Sequence, residues 1–481
     1  MTPLDPVQLL QQLVRIPSVN PMERSFSAPL MAGSEAAGVE ADRSEAGSPE
    51  ADGSKQPKVK EIFCEGRLTD FLEQFCRQVG LEVFRQPVLP GRENLIVRLV
   101  GYPPPEQGGE ILLWDAHQDT VPPGQMAEPF AAQIRQGRLY GRGACDVKGG
   151  LAAMLTALAR LASESDQPGN GSADPTKQPR SKTPRPAVES GVGEQGGSAW
   201  AEEPREIGSG RAKTAPRPTV YLAATIDEEH GMNGARALCR LWKTDDGKIF
   251  PRRPDAAIVA EPTDLQVVVA HKGVIRWRCH TLGQACHSSR PHEGLNAIYL
   301  MAEVLQALQQ YASQIVPHLG WHPLCGSGSL SVGRIYGGQS VNIVPDRCTI
   351  EIDRRLLPGE SPQQAWEHCL KYLVGCLSQP DRFEQEPPWP PIPGLSDESN
   401  GQLAAKLSAV AAELTGKPCP RIAADYTTNA GFYAQAGVPT VVFGPGSIQQ
   451  AHTADEWIPL DQLHQATQIF YQLVNKWYES L

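Results

Sequence analysis

The stretch LLWDAHQDTVP, from Leu112 to Pro122, decides more about the fold than any other part of the chain. It begins as an apolar run, which predicts a buried strand ending near Ala116. His117 and Asp119 follow at once, in a polar loop. A metal-bound histidine usually donates its second ring N–H to a carboxylate, and the spacing of this pair suits that arrangement.

A second stretch, GRGACDVKGG from Gly141 to Gly150, places Asp146 in a glycine-rich turn before the helical pattern LAAMLTALARLA. Imidazole and carboxylate groups at strand ends are suited to holding a divalent cation. Each motif alone also fits a plainer interpretation, because a lone histidine near an aspartate is common in surface loops and aspartate beside glycine is common in turns. The case for a metal therefore depends on the rest of the chain.

Three further apolar runs end in similar residues: Thr219 to Ile226, Ala256 to Ala260, and the run that starts at Val438 and leads into a Gly-Pro loop. Ligands bind at the carboxyl ends of the strands in open α/β sheets, so these runs predict one shared site. A row of acids after a buried strand is costly unless a cation or a helix N-terminus offsets the repulsion. The candidate residues that follow the runs are Glu229, Glu261 and His452, with Glu228 beside Glu229.

The predicted metal ligands are His117, Asp146, Glu229, Glu261 and His452. Five ligands exceed the needs of one tetrahedral zinc, whereas two ions about 3.5–4 Å apart that share a carboxylate need about this number. Two histidines and three carboxylates favour zinc, cobalt or manganese over magnesium or calcium. Glu228 is left over from this set.

With these segments in order, the chain resembles the co-catalytic zinc aminoacylase and carboxypeptidase family, which includes acetylornithine deacetylase and succinyl-diaminopimelate desuccinylase. The resemblance covers most of the chain outside two insertions. The matching segments are RIPSVNP, DAHQDTVP, GRGACDVKGGLAAML, ATIDEEHGMNGA, AEPT, HKG, ACHSSRPHEGLNAI, GGQSVNIVPD, DRRLLPGE and AGVPTVVFGPGSIQQAHTADEW.

The resemblance implies a role for each matching residue. Asp146 would bridge the two ions, Glu228 would be the general base, and Asp119 would orient His117. His287 would be the lid histidine that reaches the partner's active site across a dimer. Asn342 and Arg355 would bind the carbonyl region and the carboxylate of the substrate. From the residues alone, Arg355 fits a strand arginine paired with Asp353 or Glu351, and His287 and Asn342 fit ordinary loop residues. Only the resemblance favours the functional roles.

One position departs from the family pattern. Asn429 stands where the deacetylase branch often has an acid. This change leaves the metal ligands intact and bears on which substrate is used.

Composition narrows the function classes. The chain has 481 residues, and its share of 20% charged residues is typical of a globular protein. Its net charge of −10 disfavours nucleic acid as a partner. The first twenty residues predict an amphipathic helix with no signal peptide, and no apolar run reaches membrane-spanning length. Eleven scattered cysteines without a CxxC pair favour a reduced, cytoplasmic protein.

Two polar, aperiodic segments, Glu23 to Val59 and Ser163 to Arg217, predict disordered surface insertions. Between them and the C-terminus the pattern changes to β-α-β-β-α, which predicts a ferredoxin-like lid. Its elements are strands at Val274–Leu282, Ser329–Tyr336 and Arg347–Arg354 and helices at Gly294–Ile315 and Pro362–Leu377, and a last helix is predicted at Leu460–Tyr478.

The fold class expected is therefore α/β: a mixed-sheet zinc-peptidase catalytic domain at 1–270 and 387–481, with an inserted α+β lid and dimerisation domain at 271–386. The function expected is a metal-dependent amidohydrolase acting on an N-acyl amino acid, as a homodimer with two zinc, cobalt or manganese ions per chain. A dipeptidase or carboxypeptidase on the same scaffold, and a non-catalytic binding homologue, are the alternatives.

Overall fold

The computed structural model describes residues 4–22, 62–165, 215–244 and 247–480. The predicted insertion at 23–59 lies outside the described residues. The predicted insertion at 163–217 lies outside them except for its two ends.

The described residues form helices and strands in the following chain order. The helices are α1 Pro6–Arg15, α2 Gly66–Gln78, α3 Gly149–Ser165, α4 Asn233–Thr244, α5 Ala297–Gln310, α6 Pro362–Cys376, α7 Gly401–Thr415, α8 Ala430–Gln435 and α9 Leu460–Asn475. The strands are β1 Glu82–Leu89, β2 Arg92–Leu99, β3 Ile111–His117, β4 Gln133–Arg135, β5 Arg138–Tyr140, β6 Thr219–Thr225, β7 Ala256–Val259, β8 Val267–His271, β9 Gly273–Leu282, β10 Ser329–Gly337, β11 Arg347–Leu356, β12 Phe383–Gln385, β13 Arg421–Ala424, β14 Thr440–Val442 and β15 Trp457–Pro459.

The main sheet has eight strands in the order β1-β2-β6-β3-β7-β14-β8-β13. Its central strands β6, β3, β7 and β14 run parallel to one another. Every residue of β3, β6 and β7 is buried, because helices cover both faces of a parallel sheet. This double burial explains why these strands appear in the sequence as continuous apolar runs.

Two apolar cores lie on opposite faces of the main sheet. One includes buried residues of α1, α2, α3, α7 and α9, and the other includes buried residues of α4 and α8. Helix α9 follows the 3.6-residue period closely, burying Leu463, Ala466, Phe470 and Val474 along one face. It ends at Asn475, three residues before the predicted end.

The lid is a separate four-stranded antiparallel sheet in the order β10-β11-β9-β12, with α5 and α6 packed on one face. The chain order β-α-β-β-α-β and this strand order are those of the predicted ferredoxin-like sandwich. Helix α5 begins at Ala297, later than predicted, because the Asn296 side chain caps it by accepting the Ile298 and Tyr299 amides.

The predicted fold class is confirmed: a large mixed α/β sheet carries a separate, smaller sheet domain. The exact limits of 271 and 386 remain a prediction, although all four lid strands lie between Gly273 and Gln385. None of the described helices has the length and apolar composition needed to cross a bilayer.

Candidate metal centre

The parallel strands of the main sheet bring all five predicted ligands to one edge. Because β3, β6, β7 and β14 run in the same direction, the loops after them meet at the same edge. There the donor atoms fall into two groups whose members lie within 4.8 Å of one another. The first group is His117, Asp146 and Glu261, and the second is Asp146, Glu229 and His452.

Asp146 belongs to both groups and contributes one carboxylate oxygen to each histidine. Its Oδ1 lies 3.1 Å from His117 Nε2, and its Oδ2 lies 3.4 Å from His452 Nε2. His452 Nε2 is also 3.1 Å from Glu229 Oε2. Two three-residue groups of nitrogen and oxygen donors that share one carboxylate fit a pair of divalent ions of the zinc type.

The electrostatics of the protein without metal also favour cations at this place. Burial and the neighbouring carboxylates raise the pKa of Glu228, Glu229 and Glu261 above the ordinary value for glutamate. The carboxylates of Asp146 and Glu229 raise the pKa of His452 to about 10. The raised pKa values favour the protonated forms of these three glutamates and of His452, and divalent ions would displace those protons.

The loop that carries Asp146 is held by a residue that the sequence reasoning missed. The Glu456 carboxylate accepts hydrogen bonds from the backbone N–H groups of Gly143, Cys145 and Asp146 at 2.9–3.0 Å. It also accepts one from Arg142 Nη1 at 2.6 Å. Glu456 stands four residues after His452, so it connects the loop of one predicted ligand to the loop of another.

Asp119 holds the turn that presents Glu228 and Glu229. Its carboxylate accepts the backbone N–H groups of both glutamates at 3.1 Å, and Asn20 Nδ2 donates to it at 2.7 Å. The ring of His117 contacts a different atom of Asp119: Nδ1 lies 2.9 Å from the backbone carbonyl oxygen and 3.6 Å from the carboxylate. Asp119 therefore orients His117 through its main chain, and its side chain orients the two glutamates.

Arg355 extends from the lid to the catalytic domain. Its Nη1 donates to Thr427 Oγ1 at 3.1 Å, and its Nε donates to Asp353 Oδ1 at 2.7 Å. The pairing with Asp353 is the structural role considered from the sequence. The contact with Thr427 was not foreseen. Thr427 follows Tyr426, whose pKa is raised by burial and by the charges of Glu261 and Asp146.

His287 and Asn342 lie together in exposed loops at the far end of the lid. Ser288 N donates to Asn342 O at 3.0 Å, and His287 forms an isolated bridge with Ile343. The Ser289 amide donates to His287 Nδ1 at 3.2 Å, so the proton of a neutral imidazole sits on Nε2. Strand β9 starts beside the catalytic domain and has ten residues, so these loops lie about 30 Å along the lid from that junction.

Asn429 is buried below the metal centre. Its Nδ2 donates to Asp115 Oδ2 at 3.0 Å and to Thr225 Oγ1 at 3.1 Å. An acid at this position would bring a second carboxylate against the buried Asp115. The amide is thus explained by its buried neighbour Asp115, and the link between Asn429 and substrate choice stays a prediction.

Burying the carboxyl group of Glu261 without a metal should lower the free energy of unfolding. In the metal-free protein, Glu261→Gln should increase the free energy of unfolding, and the gain should grow with pH. The raised pKa of Glu261 means that the folded wild type keeps a proton that the unfolded chain releases above about pH 4.5, so wild-type stability falls as pH rises towards the folded pKa. The difference should grow by up to about 1.4 kcal/mol per pH unit over that window.

Denaturant unfolding of the metal-free wild type and variant measures this difference. The measurements should be made at pH values about one unit apart between pH 5 and pH 8, because the dependence of stability on pH comes from the pKa shift. The exposed Glu384→Gln removes the same kind of carboxyl group outside both donor groups and is the matched control. A constant or shrinking difference for Glu261→Gln would show that Glu261 is ionised without metal. Added zinc should reverse the order and make the wild type the more stable protein.

Two parts of the chain match known protein families. Residues 113–171 match the sequence model of peptidase family M20/M25/M40. Residues 269–374 match that of the peptidase dimerisation domain. The first segment contains His117, Asp119 and Asp146, and the second contains the lid residues His287, Asn342 and Arg355.

Solved structures of several peptidases share the fold over nearly the whole chain. Aminopeptidase PepT from Bacillus cereus has 17% identity and a TM-score of 0.61, covering 98% of this chain and 97% of its own. An M20 family metallo-carboxypeptidase from Sulfolobus solfataricus has 15% identity and a TM-score of 0.63, covering 98% and 99%. A dinuclear metal-binding M20 peptidase from Bacillus subtilis has 16% identity and a TM-score of 0.60, covering 99% and 98%.

Proposed function

We propose that this chain, a metal-dependent hydrolase of the M20 peptidase type acting on C–N bonds, removes the acyl group from an N-acyl amino acid. The observation that carries the proposal is the position of Arg355. Its guanidinium reaches the catalytic domain at Thr427, the residue after Tyr426, whose side chain interacts electrostatically with Glu261 and Asp146 of the donor groups. A substrate amide at the metal centre would then have its amino-acid carboxylate within reach of a planar cation.

His117, Asp146 and Glu261 would hold one ion, and Asp146, Glu229 and His452 would hold the other. When bound, the two ions supply Lewis acidity towards the amide carbonyl and a water molecule of lowered pKa. The shared Asp146 keeps the two sites adjacent, and Glu456 keeps the Asp146 loop in place through its backbone hydrogen bonds.

Glu228 would move the proton. It belongs to neither donor group, it is buried, and it follows the same strand as Glu229. As general base, its carboxylate would take a proton from the attacking water and then give that proton to the nitrogen of the leaving amino acid when the C–N bond breaks. Burial raises the pKa of Glu228, which suits a group that must both accept and release a proton.

Arg355 would bind the carboxylate of the leaving amino acid. Nε is already used by Asp353 and one Nη1 bond by Thr427, so Nη2 remains for a substrate oxygen. A guanidinium recognises carboxylates through planar, directional hydrogen bonds, so an ester or amide in place of this carboxylate should be a poor substrate.

Hydrolysis of a defined panel by the zinc-loaded protein tests the proposal. The panel pairs N-acetyl and N-succinyl amino acids with dipeptides of the same C-terminal residue, and it includes C-terminal amides as controls. Release of amino acid from N-acyl substrates, but not from their amides, supports the proposal. Faster turnover of the dipeptides would instead make the protein a dipeptidase or carboxypeptidase, and no turnover of any member would overturn both assignments.

The lid supports assembly into a homodimer whose active sites are shared. β10 is an edge strand, and Ile335 and Tyr336 on it are exposed, as are Tyr299 and Val341 around an adjacent groove of about 860 Å³. Exposed apolar edges of this kind mark interfaces. His287 lies beside the same groove, far from its own metal centre, so we expect it to serve the site of the partner.

Subunit mixing tests this sharing. His287→Ala and Glu228→Gln should each be inactive, whereas a heterodimer of the two has one site with both an intact Glu228 and an intact His287 of the partner subunit. Random exchange should therefore restore up to about a quarter of wild-type activity, since about half of the dimers are mixed and each has one such site. Exchange verified by mass spectrometry without recovery of activity would show that His287 acts within its own chain.

A further inference from the structure

We propose that the open face of the lid sheet selects substrates that carry a second negative charge on the amino-acid side, so that N-acyl or peptidyl derivatives of acidic amino acids are preferred. The inference rests on the proposed function for the position of the first carboxylate. It goes beyond that function by naming the substrate class. The surface concerned, called here the arginine face, consists of Arg276, Arg278, Arg334 and Arg355 with Glu351 and Asp353.

Two of these arginines share one carboxylate. Asp353 accepts Arg355 Nε through Oδ1 at 2.7 Å and Arg276 Nε through Oδ2 at 2.8 Å. Within the described residues, the Arg276 guanidinium makes no hydrogen bond other than the one to Asp353, so its two terminal amino groups are available. Two guanidinium groups that share a single carboxylate leave one positive charge uncompensated. This charge lies next to Arg355, which is proposed to bind the first carboxylate of the substrate.

One position farther along the strands, two arginines again share one carboxylate. Glu351 accepts Arg278 Nε at 3.1 Å, and Arg334 Nη1 lies 3.4 Å from its other oxygen. One step farther, His280 pairs with Glu386 at 2.8 Å, and the excess ends. The excess of positive charge is therefore confined to the arginines that share Asp353 and Glu351.

The side chains on the arginine face are accessible to a ligand. The side chains of Arg276, Arg278 and Arg355 are 39%, 36% and 30% exposed. The chain as a whole has a net charge of −10, so a local excess of arginine is not a general property of its surface. Most surface ion pairs add little stability, and stability alone does not explain four arginines against two acids.

The spacing fits a small diacid. In the antiparallel pairing, Arg355 is opposite Val274 and Arg276 is opposite Asp353, so the two arginines are diagonal neighbours about 7–8 Å apart at the backbone. Their side chains converge on Asp353. The two carboxylates of a glutamate, separated by three carbon atoms, can contact both guanidinium groups at once, whereas a glutamine offers only one charge.

Binding to the zinc-loaded full chain provides a test that needs no turnover. Calorimetric titration with glutarate and with butyrate should show that glutarate binds about 10-fold more tightly, since a hydrogen-bonded charge pair contributes about that factor or more. Arg276→Gln should remove the advantage of glutarate, and Arg276→Lys should keep part of it. Arg382→Gln removes the same charge from another part of the lid and should change nothing.

Turnover tests the preference itself. The ratio of kcat/KM for N-acetyl-glutamate over N-acetyl-glutamine, and for alanyl-glutamate over alanyl-glutamine, should be about 10–100 in the wild type and near one in Arg276→Gln. A ratio near one in the wild type, or a ratio that survives in Arg276→Gln, would overturn the arginine-face proposal. Loss of turnover on every substrate, with the glutarate preference intact, would overturn the proposed function and leave the arginine face supported.

Discussion

Asp146→Ala should yield a folded protein that binds neither divalent ion and has no measurable turnover. Asp146 contributes to both donor groups, so its loss leaves two donors for each ion instead of three. It is also the carboxylate that both His117 and His452 contact, and the alanine variant leaves these two rings without it. Elemental analysis after dialysis should find two zinc ions per chain in the wild type and none in the variant.

The exposed Asp455, three residues from His452 and in neither donor group, provides the control. Asp455→Ala should retain two ions and normal turnover. Retention of one tightly bound ion by Asp146→Ala would mean that the two sites are independent and that the shared carboxylate is not their bridge.

Glu228→Gln should retain both ions and lower kcat by about 10²–10⁴-fold, the usual contribution of a general base. Glutamine has nearly the same shape as glutamate but cannot take the proton of the attacking water. The backbone hydrogen bond from residue 228 to Asp119 does not depend on the side chain, so the turn should keep its conformation.

The adjacent Glu229→Gln gives the matched comparison. Glu229 lies in the second donor group, 3.1 Å from His452, so this variant should lose affinity for one ion. Full turnover in Glu228→Gln, or loss of metal by Glu228→Gln and not by Glu229→Gln, would reverse the roles of the two residues. Metal content and kcat measured on the same preparations separate these outcomes.

The fold could be predicted from the sequence where burial is strongest. β3 and β6 are buried on both faces, so they appear as uninterrupted apolar runs with an evident end, and the polar residues after that end are noticeable. The hairpin β1–β2 was not predicted. Its β1 strand, at the edge of the main sheet, mixes exposed and buried residues and contains Pro87, so its pattern resembles that of a loop.

The supporting residues could not be predicted, because their partners are distant in the chain. Glu456 meets the Asp146 loop across 310 residues, and Asn429 meets Asp115 across 314. Lys148 is buried and donates to the carbonyl groups of Leu13 and Ile16 at the end of α1. A lysine, a glutamate or an asparagine in a loop has no pattern that distinguishes such a role from exposure to solvent.

The sequence by itself determined the kinds of metal donors and the strands that carry them, since residue chemistry and apolar runs are local properties. Only the tertiary structure decided which donors share Asp146 and that Asp119 contacts His117 through its carbonyl oxygen. It also decided that Arg276 and Arg355 converge on Asp353. The physical reason is that strand pairing brings together side chains that are far apart along the chain. The direction and register of that pairing are set by the packing of the whole sheet.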